Sequence, residues 1–292
     1  MSRPWIFVCP SSRGIGFALT RHLLRTTCPN TPILATARPS TDLDKLKEQL
    51  LHGTMHNHDT ATNSSAGNNN NKFQRLHLVH MDVTREQSIK TASHKVATGL
   101  FPPASHHLHL AFALPGILHP ERSPAQVDYD HALETFKVNT LGPMMLIKWF
   151  ERFLPRSGTV IDNTSSSSNR TNDTRALPET AVWTSMSARV GSTSDNRLGG
   201  WYSYRASKAA VNSITKTFDH RLRQRSGEKA MAVAYHPGTV ATDLSKEFWD
   251  GVPPGKLFTP EHAAEKMAWV VMGLKEEQRG RVWAWDGKEI MP

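Results

Sequence analysis

"WIFVCPSSRGIGFALTRHL" (residues 5–23) is the stretch on which the reading of this chain turns. An unbroken apolar run, Trp5 to Cys9, enters a small polar loop carrying Gly14 and Gly16 and leaves it as a helix-like pattern. A strand buried on both faces reads as such a run, and the first amides of a following helix point back at the loop as a ready anion site. A glycine loop alone is weak evidence, because tight turns use glycine too. Pro10 also stands where loops that hold a dinucleotide place their first glycine. Proline fixes φ at about −65° and removes one amide donor. The helix start at Gly14 and Gly16 keeps its amides, so the loop is expected to hold a pyrophosphate with a stiffened first turn.

Outward from this unit, short β-rich runs alternate with helix-length amphipathic stretches. Strands are expected at 5–9, 32–37, 75–81, 108–114, 181–187, 230–236 and 281–285, and helices near 16–27, 42–51, 85–99, 127–153, 202–225 and 260–275. That alternation predicts an α/β fold: a Rossmann-type doubly wound parallel sheet of about seven strands, helices on both faces, in one domain over 1–292. Ligands of such sheets bind outside the carboxyl ends of the strands. Two polar, low-complexity stretches break the rhythm, 52–72 and 163–180, and read as loop insertions near 52–72 and 158–180. His52, His56 and His58 lie in the first and read as a flexible His-bearing loop, with no metal expected.

Composition narrows the classes. The chain has 292 residues, 38% hydrophobic and 21% charged, without an apolar run long enough to span a membrane. Its start enters a strand almost at once, without a transit or secretory pattern, so the expected compartment is cytoplasmic. Cys9 and Cys28 build no disulfide framework and match no zinc spacing. Asn-x-Ser/Thr sequons begin at Asn63, Asn163, Asn169 and Asn172, a by-product of Asn/Ser-rich loops. The net charge of +9 comes from scattered basic residues and no nucleic-acid motif accompanies it, so nucleic acid is not expected as a partner.

The second expected strand ends in "ATARPS" (35–40), where folds preferring NAD place an acid for the ribose 2′-hydroxyl. Arg38 stands there instead, with Arg13 as a second cation, and two guanidinium groups suit the 2′-phosphate of NADP(H). In "MDVT" (81–84), Asp82, followed by Val83, either accepts from an adenine amino group or caps the next turn. The strongest signal is "GGWYSYRASKAAVN" (199–212). Tyr204 and Lys208 are four apart and project from one helical face. A tyrosine with a pKa of about 10 is a poor acid–base group near neutrality until a neighbouring ammonium stabilises its phenolate.

With "SARVGSTSDNRLGGWYSYRASKAAVN" (187–212), "HPGTVATDLSK" (236–246), "GKLFTPE" (255–261) and "AWDGKEI" (284–290), the chain resembles the short-chain dehydrogenase/reductase family, in its C-factor-like and sniffer-type carbonyl reductase branch. The resemblance covers nearly the whole chain outside the two insertions. It implies an NADP(H)-binding Rossmann fold with a Tyr-Lys-Ser-Asn site: Tyr204, Lys208, a serine, and Asn139 of "FKVNTLGP" in a helix distortion that holds a proton-relay water. It implies cofactor contacts from Ser12, Arg13, Gly14, Ile15, Gly16, Arg38, Asp82, Val83, Tyr204 and Lys208. The nicotinamide would lie against Pro237, Gly238, Val240 and Thr242. The family's Ser-Ser-x-x-Gly reads here as Ser187-Ala188-Arg189-Val190-Gly191, making Ser187 the substrate-orienting candidate, with Ser192 and Ser185 behind it. Its Asn-x-x-Gly reads as Ala113-Leu114-Pro115-Gly116, without the asparagine.

The expected function is NADPH-dependent transfer of hydride between nicotinamide and a ketone or aldehyde, the small-molecule partner being the carbonyl or its alcohol. Leu244, Phe248, Trp249 and Val252 would form an apolar flap over it, with Trp201 as a wall, or simply pack onto the body. The departures at Pro10 and Ala113 motivate an alternative, an NADP(H)-binding signalling or interaction protein with little turnover. The family also implies a homodimer or homotetramer across 127–153 and 202–225, whose apolar stripes serve equally to cover the sheet.

Overall fold

The computed structural model describes residues 1–54, 74–161 and 175–292. His56, His58, the four sequons and most of the two polar stretches lie outside the described residues. Among the described residues ten strands follow in chain order: β1 (Arg3–Cys9), β2 (Ile33–Ala37), β3 (Leu76–His80), β4 (His106–Ala113), β5 (Ala181–Met186), β6 (Ala230–His236), β7 (Thr239–Val240), β8 (Leu257–Phe258), β9 (Val282–Ala284) and β10 (Glu289–Ile290). All but β7 and β8 form one eight-stranded sheet, ordered β10-β9-β6-β5-β4-β1-β2-β3. The seven expected strands pair in parallel, and the eighth, β10, adds antiparallel to β9 at the edge. Strand order reverses at β1, between β2 and β4, which places a crevice at the carboxyl ends of β1 and β4.

Because side chains alternate across a strand, β1 feeds two cores. Ile6 and Val8 join Leu19, Leu23 and Val271 on one face, beneath α1 (Gly14–Thr26) and α7 (Pro260–Gly273). Trp5 and Phe7 join Phe150, Trp183 and Phe218 on the other. That face is covered by α3 (Glu86–Lys95), by α5 (Gly142–Phe150) and by α6 (Tyr202–Ser226). α2 (Leu43–Leu51) sits beside β3, with Asp42 capping its first amides. The expected helix over 127–153 is interrupted: α4 (Tyr129–Phe136) passes through a π-helical turn, Lys137–Leu141, before α5 resumes.

A buried ion pair fastens the far end of α6. Arg279 Nε donates to both carboxylate oxygens of Asp219 at 3.0 Å, and its Nη atoms reach the carbonyls of Gly227 and Ala230. Asp219 Oδ1 also accepts from the Ala232 amide at 3.0 Å, tying α6 to β6. Removing one partner leaves a buried charge uncompensated, at a cost of roughly 3–5 kcal/mol. Asp219→Ala is therefore expected to lower the unfolding midpoint in urea without changing the m-value, and a wild-type midpoint would refute the assignment.

Candidate active site

The site collects at the carboxyl ends of β1, β4, β5 and β6. Ser12, Arg13, Gly14, Ile15 and Gly16 lead into α1, whose start no side chain caps. The Cys9–Pro10 peptide is cis. A Cβ on Gly16 would lie 1.9 Å from the Pro10 carbonyl oxygen, so the proline's backbone rests directly on the helix start and only glycine fits there. Ser11 ties the loop down, its amide to Thr36 O at 2.7 Å and its hydroxyl to Val8 O at 3.0 Å. An uncapped helix start of this kind suits an anion.

The loop after β6 closes over this one. Thr242 Cγ2 lies 3.4 Å from where a Gly14 Cβ would sit, and Arg13 Nη1 reaches Asp243 Oδ2 at 3.7 Å, both side chains exposed. Arg13 thus faces Asp243, while Arg38 stands exposed at the end of β2. Pro237 and Gly238 follow β6, Gly238 is backed by the ring of Phe258, and Val240 is buried in β7. His236 just before them is held neutral: burial, then the charge of Arg189, pushes its imidazole down to about 4. Asp82 serves the local turn, accepting from Thr84 N at 2.9 Å and Thr84 Oγ1 at 2.7 Å. Burial would raise its carboxyl, but those bonds with the charges of Arg38 and Arg85 hold it below the usual carboxylate range. Val83 packs against Gly142 at the start of α5.

Tyr204 and Lys208 lie in the first two turns of α6, both buried. Lys208 Nζ is 5.8 Å from the centre of the Tyr204 ring and donates to Met186 O at 2.9 Å. Burial pushes the phenol up to about 12 and the ammonium down to about 7, because each loses solvation in its charged form. α6 comes this close to the end of β5 because residue 191 is glycine: a Cβ there would lie 2.7 Å from the Lys208 carbonyl carbon. A Cβ on Gly116, after β4, would lie 3.6 Å from Lys208 Nζ, 3.7 Å from Leu244 and 4.0 Å from Asn139 Oδ1, so these groups converge on that loop.

Asn139, fully buried in the π-helical turn, has its side chain clamped. Oδ1 accepts from Ile117 N at 2.8 Å, and Nδ2 donates to Ile117 O at 2.9 Å and Ser207 Oγ at 3.1 Å. Ser207 Oγ in turn donates within α6 to Tyr204 O at 2.8 Å, so the Asn139–Ser207 bond ties the π-helical turn to α6. The serine candidates differ sharply. Ser187 Oγ donates to Asn212 Oδ1 at 2.6 Å, and Ser192 Oγ to Met291 O at 2.5 Å. The Ser185 hydroxyl is buried without a hydrogen-bond partner among the described residues. Among the described residues no group of three or more His, Cys, Asp or Glu side chains is placed to hold a metal ion.

Of the apolar flap, Leu244 and Phe248 reach the site from a 3-10 helix, Asp243–Gly251, and Phe248 packs against Trp201 at 4.8 Å between ring centres. Trp249 Nε1 instead donates within that element, to Ser245 Oγ at 2.9 Å. The sequence reading missed Glu121. It lies in the loop between β4 and α4, is buried, and its carboxylate accepts from Ser203 N at 2.8 Å and Ser203 Oγ at 2.5 Å. A lone acid in "HPERSP" carries no signal for a partner 82 residues away.

No protein-family model matches the chain. It is 31% identical over 209 residues to the 1-hydroxy-2-glutathionyl-2-methyl-3-butene dehydrogenase of Rhodococcus sp. strain AD45, covering 71% of this chain and 76% of that protein. It is 33% identical over 166 residues to C-signal of Myxococcus xanthus, covering 56% of this chain and 80% of that protein. Among solved structures, the NADPH-bound carbonyl reductase from chicken fatty liver has the same fold, at a TM-score of 0.75 and 24% identity with both chains fully covered. With its tyrosine–lysine helix, its uncapped glycine loop and that dehydrogenase relative, the chain belongs to the short-chain dehydrogenase/reductase family.

Proposed function

We propose that this chain is an NADP(H)-dependent oxidoreductase that transfers hydride between nicotinamide and a ketone or aldehyde, with Tyr204 as the acid–base group. The observation that carries the reading is the buried Tyr204–Lys208 pair beside the clamped Asn139, at the carboxyl edge of the sheet. The cofactor class follows from charge: the start of α1 is uncapped, and Arg38 stands where an acid would favour NAD. Ser12, Arg13, Gly14, Ile15 and Gly16 would hold the phosphates, Arg38 the 2′-phosphate, and Asp82 and Val83 the adenine side. Pro237, Gly238, Val240 and Thr242 would hold the nicotinamide, and Tyr204 and Lys208 the ribose. The bound cofactor supplies or takes up the hydride.

In the reductive direction, Tyr204 Oη gives its proton to the carbonyl oxygen, and Lys208 Nζ stabilises the phenolate left behind. Asn139 holds the helix distortion that supports a relay water. Ser187 orients the substrate oxygen only when its hydroxyl turns from Asn212. Trp201, Phe248 and Leu244 give the entrance an apolar rim, which favours a hydrophobic or aromatic carbonyl compound. Exposed Tyr129 and Leu133, one turn apart on α4, support a homodimer or homotetramer across that helix.

A second reading, an NADP(H)-binding signalling or interaction protein with little turnover, is favoured by the engagement of Ser187 with Asn212 and by the likeness to C-signal. The two readings separate on Tyr204→Phe. The enzyme reading expects NADPH to raise the melting temperature and the protein to oxidise NADPH against a panel of carbonyls, with kcat lost by about a hundredfold or more in Tyr204→Phe. Absence of both the thermal shift and turnover would sink it. Arg38→Asp is expected to weaken NADPH binding by at least about tenfold and to spare NADH, since a carboxylate repels the 2′-phosphate and accepts from a 2′-hydroxyl. Equal losses for both cofactors would refute that role.

Lys208 sets a pH dependence of known sign. Its folded pKa of about 7 lies below its ordinary value, so the charged form fades as pH rises through 7 and with it the support for the phenolate. Carbonyl reduction is expected to decline above about pH 7, and Lys208→Arg to remove that limb, whatever its absolute rate. Stability runs the other way. Between pH 7 and the unfolded value the unfolded chain holds more protons, so Lys208 makes the fold more stable as pH rises.

A further inference from the structure

We propose that Glu121 is a positioning residue for Tyr204: it fixes the entry into α6 and so sets where the phenol stands. The proposal rests on the reading of Tyr204 as the acid–base group. Three hydrogen bonds from this one residue meet the helix entry. Its carboxylate accepts from the amide and the hydroxyl of Ser203, the residue before Tyr204, and its backbone carbonyl accepts from Trp201 N at 2.6 Å. Gly199, Gly200 and Trp201 form three consecutive left-handed residues, with φ of 64°, 67° and 52°. For a tryptophan that conformation costs of order 1–3 kcal/mol and persists only where the surroundings impose it. Glu121 supplies the imposition.

The carboxylate is 2% exposed and, among the described residues, no cation pairs with it. A buried polar group is retained only when hydrogen-bonded, and here the donors belong to the start of α6. The same loop carries Ile117, whose amide and carbonyl clamp the side chain of Asn139. One segment, 116–121, thus holds Asn139 from one side and the turn bearing Tyr204 from the other. A shift of about 1 Å at a reacting group is enough to cost about a hundredfold in rate, so a brace on the residue next to Tyr204 is placed to control turnover.

The test uses the full-length protein with NADPH and a carbonyl from the panel, alongside backbone amide exchange. Glu121→Ala is expected to lower kcat by at least about tenfold while KM for the carbonyl and the NADPH Kd stay within about twofold. Amide exchange over 201–205 should quicken, with 212–226 unchanged. Glu121→Gln keeps an oxygen that accepts from Ser203 and should recover kcat to within about threefold of wild type. Ser203→Ala, which loses one of the two contacts, should fall between. A kcat loss in Glu121→Ala no larger than its loss of folded protein would overturn the proposal. If Glu121→Ala fails to fold, wild-type exchange over 201–205 in Ser203→Ala, together with wild-type kcat, overturns it instead. If the wild-type protein reduces no carbonyl, the parent reading fails, and unchanged exchange over 201–205 in the variants would separately overturn the brace.

Discussion

α6 is a single 25-residue helix, about 37 Å long at 1.5 Å per residue, and a rod of that kind transmits position along its length. Fixing it at any point constrains Tyr204 and Lys208 at its head. It is fixed at three. The loop carrying Glu121 grips its first turn, Gly191 lets the end of β5 approach the backbone at Lys208, and the Asp219–Arg279 pair fastens the last turns to β6. Everything else at the site is arranged against this rod. Asn139 reaches it through Ser207, and Phe248 reaches the residue that precedes it, Trp201.

That arrangement works against stability at its centre. Lys208 is buried with a backbone carbonyl as its one hydrogen-bond acceptor among the described residues, so its ammonium gives up solvation without a counter-ion. Tyr204 is buried beside it, and Trp201 is held in a left-handed turn. Such features persist where the surrounding fold over-determines them. Here the surroundings include a core of large side chains on one face of the sheet, in which Trp5 stacks on Phe101 at 4.8 Å and Phe7 on Phe150 at 4.5 Å.

How much of this was legible in the sequence depends on the range of the interaction. Strands such as β1, β5 and β6 were readable because they are buried on both faces and run apolar, as in Trp5–Cys9. β7, β8 and β10 are two residues each, too short to have a period. Tyr204 and Lys208 were readable from local spacing, and Asn139 from the resemblance of its motif. The break of the helix at Lys137–Leu141 is marked by Gly142-Pro143, because the proline has no amide to donate to the Asn139 carbonyl, and the resemblance implied a distortion there. The partners that fix these groups were not readable. Glu121, Gly191 and Asn212 act through contacts made only when distant segments meet, and the direction of the Ser187 hydroxyl is one such contact.

The Asp219–Arg279 pair also has a temporal side. Its two members are 60 residues apart, so a chain emerging from the ribosome presents the whole of α6, Tyr204 and Lys208 included, before the guanidinium that secures its far end exists. Until then Asp219 has only the Ala232 amide to face. A nascent or truncated chain ending in that interval would have to bury an unpaired carboxylate to dock the helix, which is strongly unfavourable. The segment carrying Arg279 therefore acts as the latch of assembly: the nucleotide loop can form early in synthesis, but the tyrosine–lysine pair is locked against the sheet only after that later segment has been made.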